Sequence, residues 1–379
     1  MVLQQTNTLI IGAGISGLAS AASLKKKQIE YIIIEKQDRI AIPWRNHYER
    51  LHLHTPKKYS GLPFKKFAGA IPRYPSRQQV IDYLEDYEKE FGICPVFNTE
   101  ALSVKREGDH WVTETTGDAF TSKYVVIASG VFGKARTVRF KGMETFPGRI
   151  LHSSEYKTGR DFSGQKVLVI GFGNSSCEIA IDLYERGAKI CMSVRSPVNV
   201  IPRDVLGLPV VELSQWMSRL PPRMADRVSA PLLRWLTGDI TKLGLQRMPY
   251  GPLEQIRRDG KAPVLDIGTI QHIRDGHIGI CGEIDIIDGR TIHFKDGKKD
   301  EFDAIVAGIG YHRDYPGFMD LEKERFEDLE LPAREQKYFG KDGLYFCGYW
   351  ISPRGQIFEI TRDAQKIAKD IALKEISGI

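Results

Sequence analysis

An α/β fold of two parallel-sheet units, the second inserted into the first, is predicted by three features of this sequence. Residues 8–24, TLIIGAGISGLASAASL, read as a strand, a glycine-tight turn and a helix. Residues 167–182, VLVIGFGNSSCEIAID, repeat that pattern in the middle of the chain. The late strands EFDAIVAGIG and DGLYFCGYW and the closing helix TRDAQKIAKDIALKEI then supply elements that complete the first unit. The strands are continuous apolar runs, as expected of parallel strands covered on both faces.

At 379 residues the chain exceeds what one hydrophobic core usually serves. Its 42% hydrophobic and 27% charged residues are those of an ordinary globular protein. The formal charge of +6 is mild and scattered, so no nucleic-acid surface is expected. No apolar run reaches the roughly 18–20 residues of a membrane span, and the first residues lack the regions of a secretion signal. Cys94, Cys177, Cys191, Cys281 and Cys347 stand far apart and form no C-x-x-C. A disulfide scaffold, a metal site and a dithiol centre are therefore not expected, and a reduced, soluble, cytoplasmic protein is. Oligomeric state is left open, a homodimer being one option.

The elements follow in order. YIIIEK is the second strand of the first unit. Residues 42–75, rich in Pro, His, Tyr and Lys, read as ordered loop with short helix. SRQQVIDYLEDYEKEF carries Val80, Tyr83, Leu84 and Tyr87 at helical spacing, with Ser76 as N-cap. Strands ALSVKR, HWVTET and KYVVIASG precede a glycine-rich connection over 131–164. After the second turn and its strand, residues 205–250 are Pro-rich with short helical pieces such as VELSQWMSRL, whose apolar spacing suggests core packing or a pocket wall. Hairpin-like strands with D-G turns span HIGICGEIDIIDGRTIHFKDG. The expected division is 1–160 and 301–379 for the outer domain and 161–300 for the inserted one.

Gly12, Gly14 and Gly17 form G-x-G-x-x-G between strand and helix. The first glycine permits the turn, the second admits a pyrophosphate to the backbone, and the third lets helix pack on strand. Phosphate then meets free N–H groups at the helix start. Glu35, at the end of the next strand, can accept both ribose hydroxyls and selects FAD or NAD over a 2′-phosphorylated cofactor. The alternative is a surface Glu beside a glycine turn. In the second turn Gly171 and Gly173 are followed by Asn174, Ser175 and Ser176, a small Ser replacing the third glycine. Arg195 stands where the first unit has Glu35, and a guanidinium there accommodates a 2′-phosphate; the alternative is a solvated cation. The fold class is thus two dinucleotide-binding Rossmann-like domains, with the NADPH domain inserted into the FAD domain.

Between the turns, FPGRILHSSEY places Phe146, Gly148, His152 and Tyr156 in F-x-G-x-x-x-H-x-x-x-[YF]. This linker motif resembles the signature of flavin-containing monooxygenases. The related Baeyer–Villiger signature usually ends in Trp or Phe followed by Pro or Asp, and Tyr156-Lys157 departs from it. His152 is open to a structural or a catalytic reading.

AIPWRNHYERLHLHTPKKYSGLPF, HSSEYKTGRDFSGQKVLVIGFGNSSCEIAIDL, VRSPVNVIPRD and GPLEQIRRDGKAPVLDIGTIQHIRDGHI, with the end segments GLYFCGYW and TRDAQKIAKDIA, resemble the plant YUCCA monooxygenases over nearly the whole chain. That resemblance implies FAD, NADPH and O2, a flavin C4a-(hydro)peroxide, and oxidative decarboxylation of an aromatic 2-oxo acid such as indole-3-pyruvate to indole-3-acetate. It also implies FAD contacts from Trp44 and Gly348. His54 occupies the Asn place of the wider family's N-T-x-K segment, here HTPK, and is the candidate catalytic residue; the alternative is packing against flavin. In VAGIGYHRD, Ile309 replaces the family's Thr while Gly310 and Tyr311 fit. Trp44 and Trp350 are candidate pocket walls, and the SPRGQ turn would bring N–H groups toward the flavin. The competing functions are N- or S-oxygenation of a soft amine or sulfide, Baeyer–Villiger oxidation, a non-catalytic NADPH/FAD sensor, and a flavin disulfide reductase lacking its dithiol.

Overall fold

A computed structural model describes residues 2–130, 133–217, 219–312, 316–319, 340–349 and 353–377. Trp350, the start of the SPRGQ turn and the end of VAGIGYHRD lie outside the described residues.

The first sheet is built on the strand Leu3–Ile11, flanked in parallel by Tyr31–Ile34 and Ala119–Ile127. Ala119–Ile127 pairs along one edge with two strands: antiparallel with His110–Thr115 near its start and parallel with Leu344–Phe346 near its end. The chain's end thus completes the first unit, and the closing helix Gln356–Ser377 packs on Ile15–Lys26 through Ile360, Ala364, Ile367 and Ile371. The helix Arg77–Phe91 begins at Ser76 in a capping box, the Ser76 hydroxyl accepting from Gln79 N–H and the Gln79 amide oxygen from Ser76 N–H.

The second sheet has five parallel strands in the order Ile278–Cys281, Lys189–Ser193, Lys166–Ile170, Ala304–Ala307, Arg149–His152. Two of these lie outside the 161–300 range expected for the inserted unit. RILH and AIVA border that range, and only their mutual pairing, not their composition, assigns them to this sheet. The second sheet therefore draws its strands from residues 149 to 307. Ile278–Cys281 also leaves the expected hairpin array and joins the parallel sheet, while Ile284–Asp288, Thr291–Phe294 and Lys299–Glu301 form the antiparallel meander around the two D-G turns.

The crossing segments run side by side. Lys134–Ala135, leading into the inserted unit, pairs antiparallel with Tyr311–His312, leading out. In the Pro-rich region, Val210–Met217 and Pro222–Thr237 are helical, but Trp216 is 78% exposed and so takes no part in a core.

Parallel pairing of Lys189–Ser193 with Ile278–Cys281 brings Cys191 and Cys281 together in a disulfide, their Cα atoms 6.2 Å apart. This corrects the expectation from sequence, where 90 residues separate them. Cys94, Cys177 and Cys347 are free. Protein purified without reductant should therefore yield about three titratable thiols after denaturation and about five after reduction; five before reduction would show that this bond does not form.

Candidate active site

Each glycine turn has the same internal geometry. Gly12 (φ +104°) and Gly171 (φ +100°) adopt backbone conformations that favour glycine, and an added Cβ would lie 2.8 Å from Ala128 O or 2.7 Å from Gly308 O. At Gly14 and Gly173 an added Cβ would meet nothing within 4 Å, leaving the open approach a pyrophosphate needs. Helices Ile15–Lys26 and Asn174–Glu185 start at these turns, so their first N–H groups point into that space.

The third positions differ. A Cβ on Gly17 would stand 1.8 Å from Gly12 O, so nothing larger fits. Ser176 is fully buried, and its hydroxyl donates to Gly308 O at 3.0 Å, where an added Cβ on Gly308 would collide with it. The glycine missing from the helix is supplied by the neighbouring strand's end.

Glu35 sits at the end of Tyr31–Ile34 and accepts from Ala13 N–H (2.8 Å) and Gln37 N–H (3.0 Å), which fixes the carboxylate beside the first turn. Arg195 is exposed and forms no hydrogen bond or ion pair with the described residues, so its planar fork is free for a phosphate. The Asn174 side chain is engaged within the protein. Its amide oxygen accepts from Leu265 N–H at 2.7 Å and its nitrogen donates to Pro263 O at 3.3 Å, clamping the strand Val264–Asp266 to the helix start. Ser175 approaches the Tyr48 hydroxyl.

Gly348 (φ +81°) abuts the first helix, a Cβ there falling 2.3 Å from Ser16 Oγ. Trp44, in the short helix Ile42–Asn46, packs against the apolar cores of both units.

The linker motif is a structural assembly on the inserted unit. Phe146 is buried, and Gly148 lies where a Cβ would strike Asp303 O at 2.0 Å. His152 Nδ1 accepts from Ser154 N–H at 3.1 Å, which leaves Nε2 to donate to Gly310 O at 3.1 Å. Both ring nitrogens are thus engaged, Nδ1 within its own turn and Nε2 in tying the linker to the outgoing segment. Tyr156 is fully buried, with its hydroxyl 2.6 Å from Asp182 Oδ2; burial first, and then that carboxylate, push its pKa far up and keep it a donor.

His54 lies at the junction of the units. Its Nε2 is 3.4 Å from Oε2 of Glu178, and its Nδ1 is buried without a hydrogen-bond partner. Glu178, 1% exposed on the second turn helix, also accepts from the Tyr48 hydroxyl at 2.8 Å and His52 N–H at 3.3 Å. Burial and the Glu178 charge raise the Tyr48 pKa well above its ordinary value, so Tyr48 too remains a donor. His47 is nearby, and burial lowers its pKa.

Sequence reasoning missed Glu178, Tyr48 and His52. A signal existed: Glu178, Asp182 and Glu185 recur at i, i+4 and i+7, one face of a helix otherwise rich in apolar residues.

The pyridine nucleotide-disulphide oxidoreductase family matches residues 9–206. The indole-3-pyruvate monooxygenase YUCCA6 of Arabidopsis thaliana is 39% identical over 97% of this chain and 90% of that protein. The chain belongs to the YUCCA monooxygenase family. YUCCA1 of Oryza sativa subsp. japonica is 35% identical over 96% of this chain and 90% of its own length. Cyclohexanone monooxygenase from Rhodococcus sp. Phi1, solved bound to NADP+, shares the fold with a TM-score of 0.75 at 16% identity, covering 99% of this chain and 85% of that one. As a family member the protein is an NADPH-dependent flavin monooxygenase with FAD and NADPH as cofactors, and the two turns described above fit them. No described helix is long and apolar enough to cross a membrane.

Tyr156→Phe removes one of the two donors to the buried Asp182 carboxylate, the other being Gly159 N–H. Urea unfolding should show a loss of about 2 kcal/mol; an unchanged midpoint would mean that the Asp182 contact does not hold the linker.

Proposed function

We propose that this protein oxidatively decarboxylates an aromatic 2-oxo acid, with indole-3-pyruvate the lead substrate. The observation that carries this reading is 39% identity, across almost the whole chain, to a protein named for that reaction. In the balanced reaction the 2-oxo acid, O2, NADPH and a proton give the acid one carbon shorter, CO2, NADP+ and water. One oxygen atom enters the new carboxyl group and the other leaves as water.

Oxygen activation is the contribution of bound FAD, with NADPH as reductant. The chain contributes binding, orientation and proton control. Gly12, Gly14 and Gly17 with Glu35 form the FAD cradle, while Gly171, Gly173 and the helix start with Arg195 form the NADPH cradle. His54 is the candidate proton-handling residue. Glu178 faces its Nε2, which leaves the buried Nδ1 as the nitrogen free to accept or return a proton. Nothing assigns such a role to His152, whose nitrogens are both engaged. We place the enzyme in the cytoplasm, although the Cys191–Cys281 bond is of a kind rare there.

The direct test is NADPH-dependent turnover of indole-3-pyruvate, phenylpyruvate, trimethylamine and a thioether, with products identified. The keto acids should lose CO2 and the heteroatom compounds should stay inert; the reverse outcome rejects the reading. In the same assay His54→Asn should lower keto-acid turnover about 100-fold while NADPH oxidation continues, diverted to hydrogen peroxide. Full coupled turnover in that variant would reduce His54 to a packing role.

Cofactor selection is separately testable. Arg195→Ala should weaken NADPH binding about 10–100-fold and NADH binding little, since only NADPH carries the 2′-phosphate. Equal loss for both would refute the assignment.

A further inference from the structure

A cleft of about 420 Å3 opens beside the Glu178–His54 pair. Arg50, Arg73 and Arg203 line it, with His52, Tyr74 and Glu178, and Pro72 and Ile267 add apolar wall. Three guanidinium groups around one small cleft call for an anion, and their engagements differ in a way that singles out one of them.

Arg50 is consumed: its Nε and Nη2 donate to the two carboxylate oxygens of Glu185 at 3.1 and 2.7 Å. Arg73 donates to Gly207 O at 2.9 Å and lies 3.3 Å from Asp204 Oδ1. Arg203 makes no side-chain hydrogen bond with the described residues. Its nearest acid, Asp204 Oδ2, is 3.5 Å from Nε, and that Nε is buried with no hydrogen-bond partner. The group is nevertheless held in place. Its guanidinium carbon sits 3.9 Å from the centre of the Tyr74 ring, and the Tyr74 hydroxyl donates to Asp204 Oδ1 at 2.7 Å. The Arg203 ion pair with Asp204 is made through Nε alone, so a stacked, oriented guanidinium keeps Nη1 and Nη2 without a hydrogen-bond partner among the described residues, and two such N–H groups are what grip a carboxylate in bidentate fashion.

We propose that Arg203 is the carboxylate anchor for the organic substrate. This rests on the 2-oxo acid reading above and deepens it: the substrate's carboxylate meets Arg203, and its apolar body lies along Pro72 and Ile267. The one acid lining the cleft does not oppose this. Glu178 has its oxygens turned to Tyr48, His52 and His54. The cleft volume lies within the range typical of small-molecule sites. The anion could also be a phosphate of the dinucleotide, and the test separates the two sources.

The FAD-loaded oxidised enzyme and its Arg203→Met and Arg203→Lys variants are titrated calorimetrically with three probes. These are indole-3-lactate (an unreactive 2-hydroxy analogue), NADP+, and phenylacetone (a ketone without a carboxylate). Arg203→Met should raise the indole-3-lactate Kd about 10–100-fold, leave the other two within about twofold, and Arg203→Lys should fall between. A loss confined to NADP+ would assign the guanidinium to a dinucleotide phosphate, and equal indole-3-lactate affinity in all three proteins would remove the anchor; either result overturns the proposal. Melting temperature and flavin content, unchanged in Arg203→Lys, exclude misfolding as the cause. Keto-acid turnover by the unaltered enzyme is read independently. If that turnover is absent while indole-3-lactate binding depends on Arg203, the reaction reading fails and the carboxylate site stands.

Discussion

Three carboxylates on one face of a single helix hold this molecule's working geometry. Glu178, Asp182 and Glu185 take partners from segments that do not belong to that helix: Tyr48, His52 and His54; Tyr156 and Gly159; and Arg50. A carboxylate withdrawn from water costs several kcal/mol unless donors surround it. Glu178 and Asp182 are nearly inaccessible to solvent and each has at least two donors. Separating the 47–54 segment from the inserted unit would strand Glu178 without them. Apolar packing acts in the same direction, since Tyr48 and Leu51 belong to the inserted unit's core. The helix that begins at the second dinucleotide turn therefore also fixes the candidate proton-handling residue of the other domain.

The different selectivity proposed for the two like turns rests on small changes outside the turns. The glycines set the shape in both units, but Glu35 and Arg195, at the ends of the following strands, carry opposite charge. Glu35 is steadied by two backbone N–H groups, and Arg195 has no partner among the described residues. The exchange of Gly for Ser at position 176 is matched by Gly308 across the contact. Two positions far apart in the chain thus share one requirement for space.

What was legible in the sequence was what depends on local pattern. Strand–glycine–helix frames, the Ser76 cap and the completion of the first unit by the chain's end all rest on residues close together or on apolar runs. What was not legible depends on long-range pairing. Arg149–His152 and Ala304–Ala307 join the second sheet only because each pairs with a distant strand, and the same kind of pairing unites Cys191 with Cys281. At the site, the glycines, Glu35, Arg195 and His54 could be picked out from motifs. Glu178 could not, because a Glu in a helix is usually solvated, and its burial follows from docking against a segment more than a hundred residues earlier. Asn174 was legible as part of a turn, but the bond of its side chain to the Val264–Asp266 strand was not, because it too is a long-range contact.

The two histidines show how partner supply decides between structure and chemistry. His152 has an acceptor for one nitrogen and a donor for the other, and moving a proton there would break the tie between the crossing segments. His54 has a carboxylate near one nitrogen and no hydrogen-bond partner on the other, which is itself buried. Nearby, His47 Nδ1 and Arg203 Nε are also buried without hydrogen-bond partners. Folded proteins satisfy the great majority of such groups, because each failure costs about 1–3 kcal/mol. Several unfilled groups gathered around one buried carboxylate are therefore best understood as capacity reserved for a ligand. The proposed roles of His54 and Arg203 follow from that single consideration, applied to two neighbouring residues.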